Sequence, residues 1–164
     1  MGRLVDGTPI YDDATAALPD PNDREDPLWL RADRNFTASV IEKTFDGNAE
    51  NGNADGGHLL SSSNVFVIEE LVGPDHRGIR ICRIKIYDRR KGVWVEKRVP
   101  SSMFVKNWSP SRAMFEARPA LTNARQIDDS RWEGVSPSGV TIVFHRNADG
   151  SLRTFYPLRR GRRG

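Results

Sequence analysis

The stretch Ile79-Arg80-Ile81-Cys82-Arg83-Ile84-Lys85-Ile86-Tyr87 decides the fold class, because apolar and basic residues approximately alternate along it. Successive side chains of a strand point to opposite faces, so this period of two predicts a strand with one apolar and one basic face. Cys82 is the only cysteine of the chain, and its place in this run predicts a buried structural thiol. A single cysteine excludes an internal disulfide and a cysteine-based zinc site.

The residues before and after this run predict two helices. Apolar side chains recur at helical spacing near residue 40 and predict a short helix over residues 35–44. Ser109 can cap a second helix whose first residue is Pro110, since proline fits the first helical position. Proline in a helix interior removes a hydrogen bond, so we expect this helix to run to about Arg118 and to be disturbed by Pro119.

Five other segments have the apolar, β-branched character of strands. They are residues 65–68, 93–97, 131–135, 140–145 and 152–156. Residues 73–78 are predicted to form a hairpin loop, and the Gly- and Asn-rich residues 46–57 a longer loop. Trp94, Trp108 and Trp132 are expected in the core. The whole pattern predicts an α+β fold: an N-terminal helical segment, then antiparallel sheets with a central helix.

The length of 164 residues indicates one domain with short extensions. Residues 1–27 are rich in Asp, Pro and Ala and are predicted to be a leader or linker at the end of a longer protein. The domain itself is expected over residues 28–158, followed by a basic tail at residues 159–164. No signal peptide is visible, and no apolar run reaches the roughly 18 residues of a membrane span. We therefore expect no membrane contact. We also expect a monomer.

Charge is distributed unevenly along the chain. Residues 1–57 hold 5 Lys and Arg against 12 Asp and Glu, a net charge of −7. Residues 58–164 hold 20 Lys and Arg against 10 Asp and Glu, a net charge of +10, which leaves the chain at +3. A basic segment of this size attracts polyanions, so the pattern favours a nucleic-acid partner.

Two histidines and a lysine in this basic segment suggest a reaction. His58 ends the turn Asp55-Gly56-Gly57-His58, His76 follows 18 residues later, and Lys97 comes 21 residues after His76. Two imidazoles and an ammonium are sufficient to cleave RNA without a metal. One imidazole takes the proton of the ribose 2′-hydroxyl, the other protonates the leaving 5′-oxygen, and the ammonium stabilises the charged phosphorane.

Four motifs, in this order, resemble those of the bacterial EndoU nuclease family. They are Gly56-Gly57-His58, Ser101-Ser102-Met103-Phe104 with Trp108-Ser109, Trp132-Glu133-Gly134-Val135-Ser136-Pro137-Ser138-Gly139, and Gly150-Ser151-Leu152-Arg153-Thr154-Phe155-Tyr156-Pro157. The resemblance covers about 100 of the 164 residues, from His58 to Pro157. It implies a fold related to pancreatic-type ribonucleases (the RNase A-like, BECR-type fold).

The resemblance also implies an activity and a setting. Members of the family are endoribonucleases that often cut single-stranded RNA at uridylates and leave 2′,3′-cyclic phosphate and 5′-hydroxyl ends. In bacteria they are commonly the C-terminal toxic part of secreted polymorphic or contact-dependent inhibition toxins that act in the target-cell cytoplasm. The implied partners are RNA, with tRNA as a family-level target, and a cognate immunity protein. No cofactor is expected, although Mn²⁺ could stimulate the reaction.

The family's site residues are carried over to matching positions. His58 is implied as general acid, His76 as general base and Lys97 as the phosphorane-stabilising cation, although the sequence alone does not separate acid from base. Thr154 and Tyr156 lie two residues apart and share one face of a strand, a geometry that suits a base pocket in which the Thr hydroxyl hydrogen-bonds a pyrimidine edge and the Tyr ring stacks on the base or ribose. Ser102 is expected to assist phosphate binding, and His145 is expected to be partly buried or simply exposed on its strand, without a role in the site.

Two other functions stay open at the sequence level. The first is a catalytically silent RNA-binding module, which the basic strands and aromatic residues would equally suit. The second is a metal-dependent nuclease that would use His58, His76 and a carboxylate such as Asp75. The basic segment offers no compact acidic cluster, so the second ranks last.

Overall fold

The computed structural model describes residues 35–160 of the chain. The predicted leader, residues 1–27, lies outside the described residues, as do residues 161–164 of the predicted tail. The elements in chain order are α1 Ala38–Asp46, β1 Asn48–Glu50, β2 Asn53–Asp55, β3 Val65–Val72, β4 Arg80–Asp88, β5 Val93–Glu96, β6 Ser101–Met103, α2 Pro110–Thr122, β7 Arg125–Gln126, β8 Arg131–Val135, β9 Thr141–Arg146 and β10 Leu152–Pro157.

The strands form two four-stranded antiparallel sheets and one separate hairpin. The first sheet has the order β3-β4-β5, with β6 pairing with β4 beyond the end of β5. The second has the order β10-β9-β8-β7, and β1 and β2 pair only with each other. Every pairing is antiparallel. The predicted α+β class, with antiparallel sheets and a helix between them, is therefore confirmed.

Strand β4 shows the alternation on which the fold prediction depended. Cys82, Ile84 and Ile86 are buried, while Arg83 and Lys85 lie on the opposite, more exposed face. The buried side chains form a small core under the first sheet, whereas a larger core joins both helices to the second sheet. Within the described residues, no helix is both long and apolar enough to cross a membrane.

The segment predicted as a loop over residues 46–57 is instead mostly a hairpin, and that prediction was wrong. β1 pairs with β2 in the register Glu50↔Asn53, so Asn51-Gly52 is a two-residue turn. Both turn residues have positive φ, 52° for Asn51 and 79° for Gly52, which is the backbone that twisted hairpins prefer. Asn and Gly are the residues that adopt it at least cost.

Helix α2 also departs from its prediction. It begins as expected, with the Ser109 side chain accepting the Arg112 N–H, but it continues through Pro119 to Thr122. Pro119 is exposed and lies in the last turn, where the ring meets solvent rather than packed side chains. The hydrogen bond lost at Pro119 is offset because Ala120 is buried against the second sheet. The helix and the sheet approach so closely here that a Cβ on Gly134 would stand 1.8 Å from the Ala120 carbonyl oxygen.

A buried charge pair joins α2 to the turn between β8 and β9. Glu116 is fully buried and accepts hydrogen bonds from Arg112 Nε at 2.7 Å, from Ser138 Oγ at 2.6 Å and from Ser138 N at 2.9 Å. Ser138 lies in the turn itself, so both its N–H and its hydroxyl reach the Glu116 carboxylate.

Replacing Glu116 by alanine should lower the free energy of unfolding by about 3 kcal/mol, because the buried Arg112 guanidinium loses its carboxylate partner. Urea unfolding followed by circular dichroism measures the change. Glu133→Ala is the matched control, since Glu133 pairs with Arg131 at a partly exposed site and should cost under about 1 kcal/mol. Equal losses for the two variants would contradict the prediction.

Candidate functional site

A cavity of about 430 Å³ lies where the end of the first sheet meets β10 of the second. Its volume suits a nucleotide-sized ligand. The lining residues come from the end of β2 and the segment after it, from the β5–β6 connection, from β4, β6 and β9, and from β10 and the residues after it. They are Asp55, His58, Ile81, Lys97, Val99, Pro100, Ser102, His145, Arg153, Thr154, Tyr156, Pro157, Leu158 and Arg159. Five of the six residues predicted to act in the site are among them.

The Gly56-Gly57-His58 turn is held against the end of α1. The N–H groups of Gly57 and His58 donate to the carbonyls of Lys43 and Thr44 in the last turn of the helix, and the Lys43 carbonyl also accepts the N–H of Gly47. Gly56 has a φ of 75°, and a Cβ there would stand 2.0 Å from the Lys43 carbonyl oxygen. Glycine at position 56 is thus required for the backbone to approach this closely and to fix His58.

The His58 ring is buried and oriented through one nitrogen. Its Nδ1 lies 2.7 Å from the Ser102 carbonyl oxygen and 3.0 Å from Ser101 Oγ. A carbonyl only accepts, so Nδ1 carries the proton and Nε2 presents a lone pair. Burial, and secondly the Lys97 charge, lowers the pKa of His58 to about 3. The imidazole is therefore neutral near pH 7, with an unprotonated Nε2.

Lys97 is a buried cation beside this histidine. Its Nζ donates to the Gly56 carbonyl at 2.9 Å and to Ser101 Oγ at 3.2 Å. Burial lowers the pKa of Lys97 to about 8. The Asp55 carboxylate favours the charged form and so opposes part of this shift. Ser101 Oγ thus connects the Lys97 ammonium to the His58 ring. This contact was not foreseen, because Ser101 had no predicted role.

Two side chains of β10 form another wall of the cavity. The Tyr156 ring stacks on the His58 ring with centroids 5.2 Å apart and an angle of 26° between planes. Thr154 Oγ1 lies 3.2 Å from Thr44 Oγ1 on α1. The prediction that Thr154 and Tyr156 share a face is confirmed, since both line the cavity. Ser102 lines it as well, and its carbonyl orients His58.

His76 is the one predicted site residue that does not line the cavity. It lies exposed on the loop between β3 and β4, as the sequence predicted. The loop is nevertheless attached to the cavity wall, because Arg159 Nε donates to the Gly73 carbonyl at 2.8 Å and the Arg160 N–H donates to Asp75 Oδ2 at 2.9 Å. Arg159 is itself a lining residue. His76 therefore belongs to a loop next to the cavity.

His145 was not predicted to belong to the site, but it lines the cavity. Its Nε2 lies 2.8 Å from the Tyr156 hydroxyl, and its ring centroid is 5.5 Å from that of Tyr156. The register of β9 and β10 places His145 opposite Thr154, so their side chains share a face. The signal available in the sequence was the turn Asn147-Ala148-Asp149-Gly150 between the two predicted strands, which makes them neighbours in a hairpin.

Trp94 is a second correction. It was expected in the core, yet 41% of it is exposed at the outer face of β5. Trp108 is buried as expected, and Trp132 packs against the main core. β5 is an edge of the first sheet at this point, so a side chain on its outer face meets no further layer.

Residues 35–160 contain no group of side chains that could serve as a metal site. No cluster of three or more His, Cys, Asp or Glu side chains is close enough there to hold an ion. Asp75, the carboxylate considered with the two histidines, is instead occupied by the N–H groups of Arg77, Ile79 and Arg160.

Folding should become less favourable as the pH falls through the range set by His58. Its folded-state pKa is lowered, so the unfolded chain binds more protons between about pH 3 and pH 6.5. The stability supplied by the neutral ring is fully present above pH 6.5 and is lost as the pH approaches 3. Between pH 6.5 and 4.5 we expect a loss of about 2–3 kcal/mol from this group.

The measurement is urea unfolding at both pH values for wild type and for His58→Asn. Asparagine can place an amide N–H near the position of Nδ1 and does not titrate, so it keeps the Ser102 contact without the proton. Its stability should fall less with pH than that of wild type. Identical pH slopes for the two proteins would contradict the shifted pKa.

Comparison with known proteins gives one finding. Residues 37–159 match the family model described as bacterial EndoU nuclease. The matched span is about three quarters of the chain and contains every residue that lines the cavity. No curated protein matches the chain, and no solved structure does.

Proposed function

Because the chain belongs to the bacterial EndoU nuclease family, we propose that it is a metal-independent endoribonuclease for single-stranded RNA, with preference for uridylates. The ribose 2′-oxygen attacks the adjacent phosphorus, and the products carry 2′,3′-cyclic phosphate and 5′-hydroxyl ends. The observation that carries the proposal is the grouping of a neutral His58, a buried Lys97 cation and an aromatic Tyr156 in one cavity.

The scissile phosphate would bind between the cavity and the His76 loop. Lys97 lies in a buried site, where a positive charge acts strongly on a pentavalent phosphorane because water does not screen it. The Tyr156 ring and the Thr154 hydroxyl face the same space, where a pyrimidine can stack on the ring and accept or donate a hydrogen bond at its edge. Ser102 lies at the phosphate side, beside His58.

The two histidines divide the proton transfers. In the free protein His58 is neutral, so it acts as general acid, the role implied by the family, only after a bound phosphate raises its pKa. His76 lies exposed on the neighbouring loop and is then the base for the 2′-hydroxyl. Each positioned acid or base should contribute about 10²–10⁴-fold to the rate.

The biological setting is also a proposal. We propose that the domain is delivered as part of a larger secreted toxin, acts in the cytoplasm of the target cell on RNA such as tRNA, and is a monomer. The net charge of +10 over residues 58–164 supports an RNA substrate, and it would also attract an acidic immunity protein to the basic cavity. The reaction needs no cofactor in this proposal, and stimulation by Mn²⁺ is tested alongside it.

The testing experiment uses an oligodeoxynucleotide with one ribouridine, in EDTA or in Mn²⁺. DNA lacks the 2′-hydroxyl, so cleavage is confined to the single ribonucleotide. Wild type should cut it in EDTA and give a cyclic phosphate by mass spectrometry, while His58→Ala and His76→Ala should not; Lys91→Met, at an exposed turn, should cut normally. Cleavage only with Mn²⁺ would favour the metal-dependent alternative.

One observation favours the second candidate, a catalytically silent RNA-binding module. Lys85 Nζ lies 4.9 Å from the centre of the Phe66 ring and 6.0 Å from that of Trp94, and both rings are exposed on the outer face of the first sheet. Such cation–aromatic surfaces suit stacked bases. RNA binding without any product from clean wild-type protein, in either EDTA or Mn²⁺, would select this function.

A further inference from the structure

The hydrogen bond between His145 and Tyr156 can run in either direction, depending on which of the two groups donates its proton. Tyr156 lines the cavity and stacks on His58, and its hydroxyl oxygen lies 2.8 Å from His145 Nε2. The second nitrogen of His145, Nδ1, is buried and has no hydrogen-bond partner among the described residues. Either Nε2 donates to the phenol oxygen, or the phenol donates to Nε2 and the His145 proton lies on Nδ1.

Burial decides between these two arrangements. If the proton were on Nδ1, a buried N–H would have no acceptor, and an unpaired buried donor costs more and is rarer than an unpaired lone pair. A doubly protonated ring would have the same orphaned donor. Burial, Arg153 and Arg131 lower the pKa of His145, and Asp128 opposes them only as the smallest contribution. The proton therefore lies on Nε2, which donates to Tyr156.

We propose that His145 is a positioning residue that donates from Nε2 to the Tyr156 oxygen and so leaves the phenol proton for an acceptor oxygen of RNA in the cavity. Burial raises the pKa of Tyr156, so the phenol keeps its proton at neutral pH. The oxygen is already accepting from His145, and its proton must point elsewhere. This inference rests on the proposed ribonuclease function, and it assigns Tyr156 a hydrogen bond in addition to ring stacking.

The first test needs no RNA. In ¹⁵N-labelled protein, long-range proton–nitrogen NMR spectra distinguish the two ring nitrogens of each histidine, and His145→Leu assigns the relevant signals. We expect a protonated Nε2 and a bare Nδ1 at pH 7. A bare Nε2 would overturn the proposal whether or not the protein cleaves RNA.

The second test uses kinetics on the single-ribouridine substrate. His145→Leu should lower kcat/KM by about tenfold and by the same factor as Tyr156→Phe, and the double variant should be no worse than Tyr156→Phe alone. His145→Gln should recover most of the loss, because its amide nitrogen can stand near the position of Nε2 and donate. Thermal unfolding by circular dichroism verifies that the variants fold.

Two results would overturn the proposal: wild-type kinetics in folded His145→Leu, or losses that multiply in the double variant. Failure of the ribonuclease function is distinguishable from both, because wild type would then give no product. In that case, a protonated Nε2 by NMR would still confirm the hydrogen bond from His145 to Tyr156. The absence of cleavage would overturn only its role toward RNA.

Discussion

Replacing His58 by alanine should lower the rate of RNA cleavage by about 10³–10⁴-fold, the upper part of the range for one acid–base group. His58 is the buried imidazole of the cavity, and the hydrogen bonds that hold it to the described residues Ser101 and Ser102 are made through Nδ1, which leaves Nε2 for proton transfer. The loss should therefore fall on kcat rather than on KM. Single-turnover cleavage of the ribouridine substrate measures it.

His58→Asn separates chemistry from folding in this prediction. The amide can keep the hydrogen bond to the Ser102 carbonyl but cannot transfer a proton at neutral pH. We expect it to fold like wild type and to be as inactive as His58→Ala. A folded His58→Asn with more than about one tenth of wild-type activity would contradict an acid–base role.

A sulfur leaving group identifies which proton transfer His58 performs. A thiolate departs without protonation because thiols are much more acidic than alcohols. On a substrate with sulfur in place of the bridging 5′-oxygen, His58→Ala should regain most of its rate and His76→Ala should not. The reverse pattern would exchange the acid and base roles of the two histidines.

Replacing Lys97 by methionine should lower kcat by about 10²–10³-fold, as expected for one buried group that stabilises transition-state charge. Methionine retains much of the apolar length of lysine, so the change mainly removes the ammonium. Lys91→Met changes an exposed lysine and should leave the rate unchanged. An equal effect of both substitutions would contradict a specific role for Lys97.

The Lys97 prediction has a pH signature. Burial lowers the pKa of Lys97 to about 8, so the wild-type rate should fall as the pH rises through 8 and the cation loses its proton. Lys97→Met should lose this alkaline decline along with the rate. A wild-type rate that stays level from pH 7 to pH 10 would contradict the assignment of Lys97 as the active cation.

Restoring the charge chemically tests whether a loss of structure explains the effect. Lys97→Cys followed by aminoethylation rebuilds a lysine-like side chain with sulfur in place of one methylene group. The only natural cysteine, Cys82, is 1% exposed and does not line the cavity, whereas position 97 does, so the reagent should reach position 97 first in folded protein. Recovery of activity upon modification would show that the missing ammonium, not misfolding, caused the loss.

The sequence predicted the main elements because their signals are local. The alternation in β4 and the Ser109 cap of α2 each depend on neighbouring residues and were confirmed. Pro119 was misread because its cost was offset by contacts between α2 and the distant Gly134. The β1–β2 hairpin is also signalled locally, because Asn51-Gly52 is a strong turn signal. The many Gly and Asn residues of this segment nevertheless led to the prediction of a loop.

The candidate site was predictable by residue type but not by geometry. His58, Lys97 and Tyr156 could be chosen from motifs, and the structure brings them into one cavity. The contact of Tyr156 with His145 follows from the hairpin that β9 and β10 form, which is a local feature. The connection of Lys97 to His58 through Ser101 instead depends on which distant segments lie beside each other. Sheet order is a long-range property, and no local pattern of the sequence reports it.

Because the His76 loop is attached to Arg159 and Arg160, the site can be complete only after these two residues have been synthesised. A domain generally folds as a unit during synthesis, so it needs its last elements before its site is formed. A nascent chain that already displays His58 still lacks Thr154 and Tyr156 from β10, and then the two arginines that attach the loop. Translation must pass residue 160 before the cavity is complete, so the synthesising ribosome is not exposed to a finished site while earlier residues emerge.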